Sequence, residues 1–291
     1  MQIEGPFEFS EKEKQKQKDF WKIPHEVDYD FYHLYRASVP SLIHLRILHL
    51  KTPTPHVHGS YNAYELGSFS LGFPTSDAFG LHDRLAAFGI QSMAPTQVDD
   101  IVRADGVPGQ YIETIYQGPD FLHIVGIERV GISQLAPCDP VNGIGGPGYS
   151  ALVVKDAESE IDFFINILGH FTLIDAEWKT AEGSALGTGP DVPYRFTSIY
   201  PQNQDQNYVI ILQFLDGNEI ETSAQCIPPN QGLIMYSFQT SDLNEIVKRC
   251  QRNEVSILSK PKHFCDPILG SGTKCLIATP SGFFVEIFQQ D

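Results

Sequence analysis

Three stretches of the chain repeat one alternation of apolar and polar positions. Near the C-terminus, GLIMYSFQTSD (Gly232 to Asp242) alternates as a half-buried strand does. Asp242 then stands where a helix N-cap belongs, its carboxylate placed to accept from free backbone N–H groups. LNEIVKRCQRN follows, with Leu243, Ile246, Val247 and Cys250 at helical spacing on one face. Next come the strand-like runs VSILSKP, GTKCLIATP and GFFVEIF, with the turn Pro280-Ser281-Gly282 between the last two. The grammar is strand, capped helix, three strands.

The third quarter repeats it. GYSALVVKD (Gly148 to Asp156) is the strand, Asp156 the cap, and AESEIDFFINILGH the helix, with Ile161, Phe164, Ile165 and Leu168 inward and Gly169 as its stop. FTLIDAEW, YRFTSIY and NYVIILQF complete the unit. The second quarter offers GSFSLGFPTSD, with Asp77 in the capping position, then AFGLHDRLAAFG, QYIETIYQ and FLHIVGIE. In the first quarter DFYHLYRASVPSLIHLRILHL contains a strand, SLIHLRILHL, but no strand-to-Asp start. It reads as a degraded unit whose opening strand is missing or replaced by a helix around EKEKQKQKDFWK. A βαβββ unit curls into half of an open barrel and cannot close a core alone, so units should pair. CDPVNGIGGPG (Cys138 to Gly148) is the best linker. The expected fold is therefore α+β, with paired units in an N-terminal domain (1–137), a linker (138–147) and a C-terminal domain (148–291). GIGGPG is not a dinucleotide fingerprint, because no helix follows it.

GYSALVVKDAESEIDFFINILGH resembles the opening of a vicinal-oxygen-chelate unit of the glyoxalase, bleomycin-resistance and extradiol-dioxygenase kind, and ATPSGFFVEIFQ resembles its closing strand. The likeness is good from Gly148 to Gln289, fair from Gly67 to Glu128 and weak before that. It implies a divalent metal (Fe²⁺, Mn²⁺, Zn²⁺ or Ni²⁺) in a curled sheet, acting as Lewis acid on a substrate's adjacent oxygens. The implied ligands come from the first strand, seven residues before the capping Asp, and from the closing strand. Here those positions hold Tyr149, Met235 and Ser70 on first strands, and Glu286, Gln213 and His123 on closing strands. In the C-terminal half only Glu286 is a strong ligand, joined by a phenol, a thioether and an amide.

Other candidates are weaker. His263, in KPKHFCDP, is expected on a loop that can fold over the barrel mouth and supply an acid or base. His56 and His58 form an HxH whose Pro and Gly flanks suggest an exposed loop. His44 and His49 lie an odd interval apart and face opposite sides of a regular strand. Tyr149, Tyr236, Phe238, Phe283 and Phe284 supply aromatic surface near the expected cup. Met235, Gln213, Phe238 and Phe284 would line a substrate pocket suited to an apolar or aromatic ligand.

Composition narrows the function. With 36 acidic against 20 basic residues the formal charge is -16, which repels phosphate backbones and argues against nucleic acid as a partner. The run Lys12, Lys14, Lys16 and Lys18 is interleaved with Glu11 and Glu13 and reads as a solvated helix face. No apolar stretch is long enough to cross a bilayer and no signal core opens the chain, so no membrane partner is expected. Five cysteines without a CxxC pair indicate neither a disulfide framework nor a zinc clip, and the expected compartment is the cytoplasm. A homodimer is admitted. The resulting expectation is an enzyme of the glyoxalase or dioxygenase type (lyase, isomerase or dioxygenase) acting on a small oxygenated molecule, with Glu286, Tyr149 and His263 as its reactive groups. The alternatives are a metal-free small-molecule binding protein of the bleomycin-resistance type and a non-catalytic scaffold.

Overall fold

A computed structural model describes residues 2–38, 43–102, 106–133, 135–202, 204 and 207–291. Ser41 and Leu42, the start of the expected strand SLIHLRILHL, lie outside the described residues.

The repeat is present three times. Unit two is β4 (Gly67–Pro74), α2 (Ala78–Ala87), β5 (Gln97–Val102), β6 (Pro108–Gln117) and β7 (His123–Val130). Unit three is β8 (Tyr149–Val153), α3 (Ala157–Asp162, continued by a π-helical turn Phe163–Ile167), β9 (Phe171–Lys179), β10 (Pro193–Tyr200) and β11 (Tyr208–Phe214). Unit four is β12 (Met235–Gln239), α4 (Leu243–Arg252), β13 (Ile257–Asp266), β14 (Gly270–Ala278) and β15 (Phe284–Gln290). In each, the opening strand lies parallel to its own closing strand.

The helix starts are fixed by the same two groups in all three units. The capping carboxylates of Asp77, Asp156 and Asp242 accept from the backbone N–H of Gly80, Ser159 and Glu245. A side chain near the end of each closing strand, Glu128, Gln213 or Gln289, accepts from the first helical N–H, that of Ala78, Ala157 or Leu243. Two of the donors that every helix start leaves unpaired are thereby satisfied, and each helix is tied to its own sheet.

The pairing of units differs from the expected domains. β4 runs antiparallel to β8, so units two and three share one eight-stranded sheet ordered β5-β6-β7-β4-β8-β11-β10-β9, which spans the expected linker. The Gly- and Pro-rich segment is no free tether. Gly145 and Gly148 N–H bond to the carbonyls of Pro74 and Gly72, and the N–H groups of Val141 and Asn142 donate to Asp139.

Unit four forms its own sheet, β12-β15-β14-β13, and its partner is the N-terminal unit. That unit consists of β1 (Gln2–Glu4), α1 (Glu11–Trp21), β2 (Tyr29–Tyr35) and β3 (Leu45–Leu50), in the sheet order β1-β2-β3. Phe20 and Trp21 at the end of α1 pack with Phe31 of β2 onto Leu276 and Phe284 of the fourth unit. Lys18, read as part of a solvated face, is buried, its Nζ donating to the His25 carbonyl at 2.9 Å. A separate core lies between the two large sheets, where Phe164 and Ile167 of unit three meet Ile246 and Cys250 of α4. Among the described residues no helix is long and apolar enough to cross a membrane.

Replacing Asp242 with Ala should cost about 1 kcal/mol, and Gln289→Ala a similar amount. Because both groups serve one helix start, the double variant in urea unfolding should lose a total that departs from the sum.

Candidate ligand-binding cup and the buried ion cluster

The concave face of the eight-stranded sheet is built from alternate residues of every strand. Its centre is apolar, with Val125 and Ile127 on β7, Ala151 and Val153 on β8, and Ile210 and Leu212 on β11. Toward one side it becomes aromatic. Tyr149 stacks on Tyr208 at 5.1 Å and 13°, Tyr208 on Tyr200 at 4.6 Å, and Tyr200 on Phe171 at 5.9 Å. Gly72 faces Tyr149 across the β4–β8 pair, and a Cβ there would lie 2.0 Å from the ring, so only glycine admits this tyrosine. Side chains on the outer strands, Tyr111, Tyr194 and Phe196 among them, stay half-buried.

One carboxylate sits among these rings. Glu113 of β6 is hemmed in by protein yet keeps accessible surface, as a side chain lining a space does. Among the described residues nothing hydrogen-bonds or ion-pairs with it. Burial first, and the nearby Asp99 second, push its carboxyl up to about 7. Burial followed by the Glu113 charge in turn raises the hydroxyls of Tyr149 and Tyr194, the latter to about 12. Arg129 frames the opposite wall. Its Nη2 donates to the Tyr208 hydroxyl at 3.1 Å and its guanidinium lies 5.4 Å from the Tyr111 ring centre. A loop crosses the cup where Ala185 N–H donates to Gln97 at 2.8 Å.

Glu286, the foremost expected ligand, lies in the other sheet and is wholly buried. Its Oε1 accepts from Arg46 at 2.6 Å and from the Ser237 hydroxyl at 3.1 Å. Its Oε2 accepts from Lys274 Nζ and from the Trp21 indole, each at 2.9 Å. Burial acts to raise this carboxyl, but the Arg46 and Lys274 charges outweigh it and hold it at about 2. Lys274 is shifted down, by burial and then by the second cation beside it, against the pull of Glu286. Both groups are shifted down, which favours the charge on Glu286 and opposes it on Lys274. The contacts on both carboxylate oxygens decide for an ionised Glu286, and the strain of two cations sharing one anion falls on the lysine. Both oxygens are engaged, so Glu286 is neither an open ligand nor a base.

The remaining expected residues scatter. Gln213 clamps the start of α3 with its amide, which also donates to Lys155 O at 2.8 Å, and faces away from the cup. The register of the parallel pairs shows why: Ser237 stands beside Glu286, and the matching neighbours are Ala151 with Ile210 and Gly72 with Val125. The true counterparts of Glu286 are thus apolar. His263 is on β13 opposite Thr273 rather than on a loop, and is exposed. His123 is buried, lies 4.3 Å from Phe69, and is held neutral, its pKa lowered to about 4 mainly by burial. Its Nε2 has no partner among the described residues. Met235 and Phe284 are neighbours on the β12–β15 pair, while Phe238 packs on Phe164 and His170 on the opposite face. Of the HxH pair, His56 is exposed and His58 buried beside Glu65 at 3.1 Å.

Among the described residues no three His, Cys, Asp or Glu side chains converge as a metal site requires. The donors present therefore do not fit the divalent metal that the resemblance implies. Glu113 and its aromatic surroundings were invisible to motif reading, since an isolated Glu in QYIETIYQ carries no spacing signal. An open cleft of about 1290 Å³ between β3 and β12 adjoins the cup and is lined in part by Tyr149, Tyr208, Met235 and Phe238.

Repeated βαβββ units with opening strands paired edge to edge around a concave face define the fold as that of the vicinal-oxygen-chelate superfamily. Among solved structures, a point variant of glyoxalase I from Zea mays matches 91% of this chain and 79% of its own at TM-score 0.57 and 14% identity. A second variant matches 95% and 88% at TM-score 0.53 and 11% identity, and the unmodified enzyme 91% and 79% at 0.52 and 13%. The likeness is one of fold. No family profile and no curated protein sequence matches the chain.

Glu286→Gln leaves two buried cations without their anion and should cost about 3–5 kcal/mol in denaturant unfolding at neutral pH. Because the folded pKa of Glu286 is depressed, its contribution is fully present above the unfolded value of about 4.3. It is lost as pH falls from there toward about 2, so the variant and the parent should converge in stability in acid.

Proposed function

We propose that the chain is a metal-independent small-molecule binding protein whose ligand occupies the cup of the eight-stranded sheet. The observation that carries this reading is Glu113, a carboxylate without a described partner set among tyrosine and phenylalanine rings. Leaving such a group in an apolar cup costs free energy in the unliganded protein. A flat aromatic ligand bearing a hydrogen-bond donor or a cationic nitrogen would offset that cost, its ring packing on the half-buried Tyr111, Tyr194 or Phe196 while its donor meets Glu113. The apolar centre of the sheet supports the absence of metal from the binding mode, because Val125, Ala151 and Ile210 offer no donor atoms.

A second reading rests on the same residue. A carboxyl at about 7 is poised to take a proton near neutral pH, as a general base for enolisation of a bound carbonyl compound requires. This reading needs turnover, which the first does not.

Titration with planar phenols, aryl amines and 1,2-dicarbonyl compounds, read by thermal shift and tyrosine fluorescence, separates the two. Binding without product formation, unaffected by EDTA and weakened at least tenfold in Glu113→Gln, is the expected result. Equal binding by the variant and the parent would overturn the role of Glu113, and product formation lost in the variant would establish the second reading. The pH sign is also fixed. A folded pKa raised above the unfolded value means that the folded state holds the extra proton between about 4.3 and 7, so stability falls as pH rises through that window. Glu113→Gln should thus be more stable than the parent at pH 8, by on the order of 1 kcal/mol after allowance for its partial exposure, and indistinguishable at pH 4.

A further inference from the structure

We propose that residues 180–192, which join β9 to β10, are a lid over the cup, and that ligand enters and leaves when this lid parts from β5; the proposal rests on the reading of the cup as the binding site. Length singles the connection out. It has thirteen residues, where the matching connections of units two and four have five (103–107) and three (267–269). A hairpin needs only about two to five residues to turn the chain, so the excess serves something other than strand reversal.

That excess is folded. Its neck is closed at Thr180, whose N–H donates to Val192 O at 3.0 Å and whose hydroxyl donates to Gly189 O at 2.6 Å. Asp191 N–H donates to Thr180 O at 2.8 Å, and Val192 N–H to the Thr180 hydroxyl at 3.0 Å. From this neck the tip turns over the concave face. Ser184 and Ala185 are buried, and Ala185 and Leu186 pack into the apolar core of the cup. β5 and β9 are the two end strands of the eight-stranded sheet, and the loop reaches from one to the other. The Ala185 N–H meets Gln97 of β5 at 2.8 Å, and Gly187 abuts Met93, just ahead of β5. The loop thus spans the mouth of the cup.

Closure is weak where the loop crosses. Among the described residues one hydrogen bond ties the tip to the far wall, and Ala185 and Leu186 bring little apolar area with it. The closed position also leaves the Thr188 hydroxyl oxygen buried without a partner. A firm neck and a lightly held tip are what a lid requires, since the tip can open without unfolding the strands. The latch stands at the carboxylate end of the cup. Gln97 is opposite Glu113 in the β5–β6 ladder, and its Nε2 donates to both oxygens of Asp99, at 2.8 and 3.0 Å. A ligand that meets Glu113 is therefore enclosed when the latch is made.

Hydrogen exchange on the full chain without ligand tests the lid itself. Amides 184–187 should exchange by local opening, about a hundredfold faster than those of β10 and at a rate that low urea leaves unchanged. Gln97→Met keeps the length of the side chain and removes the acceptor, so Ala185 should exchange about fivefold faster still. A cross-link tests the gate. A Cβ at Gly187 would lie 3.6 Å from the Met93 Cβ, which suits a disulfide, so Met93→Cys with Gly187→Cys should lock the tip on oxidation. The reduced form of the same variant controls for the strain of a side chain at Gly187, whose φ is 71°. With N-acetylimidazole as the probe of access, oxidation should slow acetylation of Tyr194 about tenfold and leave Tyr32 on β2 unchanged, and reduction should restore the rate. Lid amides that exchange only together with the strands would make the loop a fixed wall and overturn the proposal, as would one rate of Tyr194 acetylation in both forms. Neither readout uses a ligand, so failure of the cup as a binding site shows separately, as a parent protein whose lid opens but which binds none of the titrated compounds.

Discussion

Everything in this chain follows from the inability of one βαβββ unit to cover its own concave face. Four strands curl far enough to make half a cup, and the exposed edge of the opening strand is where the other half must join. Units two and three meet this constraint through the antiparallel β4–β8 pair, whose close approach depends on Gly72 leaving room for Tyr149. Unit four meets it differently. Among the described residues its partner supplies no opening strand, and the concave face is covered by the end of α1, with Trp21 inserted against the sheet.

That difference separates the two concave faces. The shared sheet keeps a cup whose flanks are aromatic and half-buried, with a carboxylate inside. The fourth sheet is filled, and its own carboxylate is consumed by the group that fills it. The same absence of a strand opens the cleft between β3 and β12.

Much of this was legible in the sequence. The three Asp-capped helices, the breakpoints of unit three and the degraded N-terminal unit all carry local signals: an N-cap, a helical stripe, a glycine stop. β5 was not legible, because QVDDIV is a polar edge strand with little alternation, and β2 was hidden in YDFYHLY, where aromatic residues occupy both faces. The pairing of units was also out of reach, since strand partners across sheets leave no periodicity. Gln213 was misread because the closing strand repeats Glu or Gln at its end for helix clamping, three residues beyond the position that faces the cup. Glu128, Gln213 and Gln289 form that series, and Val125, Ile210 and Glu286 form the inward one.

Within that inward series Glu286 alone is charged, and two of its partners, Arg46 and Trp21, come from the N-terminal unit. Were the position apolar, as in the other units, α1 would meet a greasy sheet that accepts several registers of a helix end. A carboxylate that must be met by Arg46, Lys274 and the Trp21 indole at once accepts only one. Such buried clusters add little net stability, because desolvation cancels most of the attraction, but a misplaced partner is expensive. The charge is best understood as a device that fixes where the N-terminal unit sits in the absence of a strand ladder. It follows that a strongly acidic residue on a family-like closing strand is evidence of function only after its neighbours are known, whereas Glu113, on a strand no motif singles out and without a partner among the described residues, is the group on which the proposed ligand site rests.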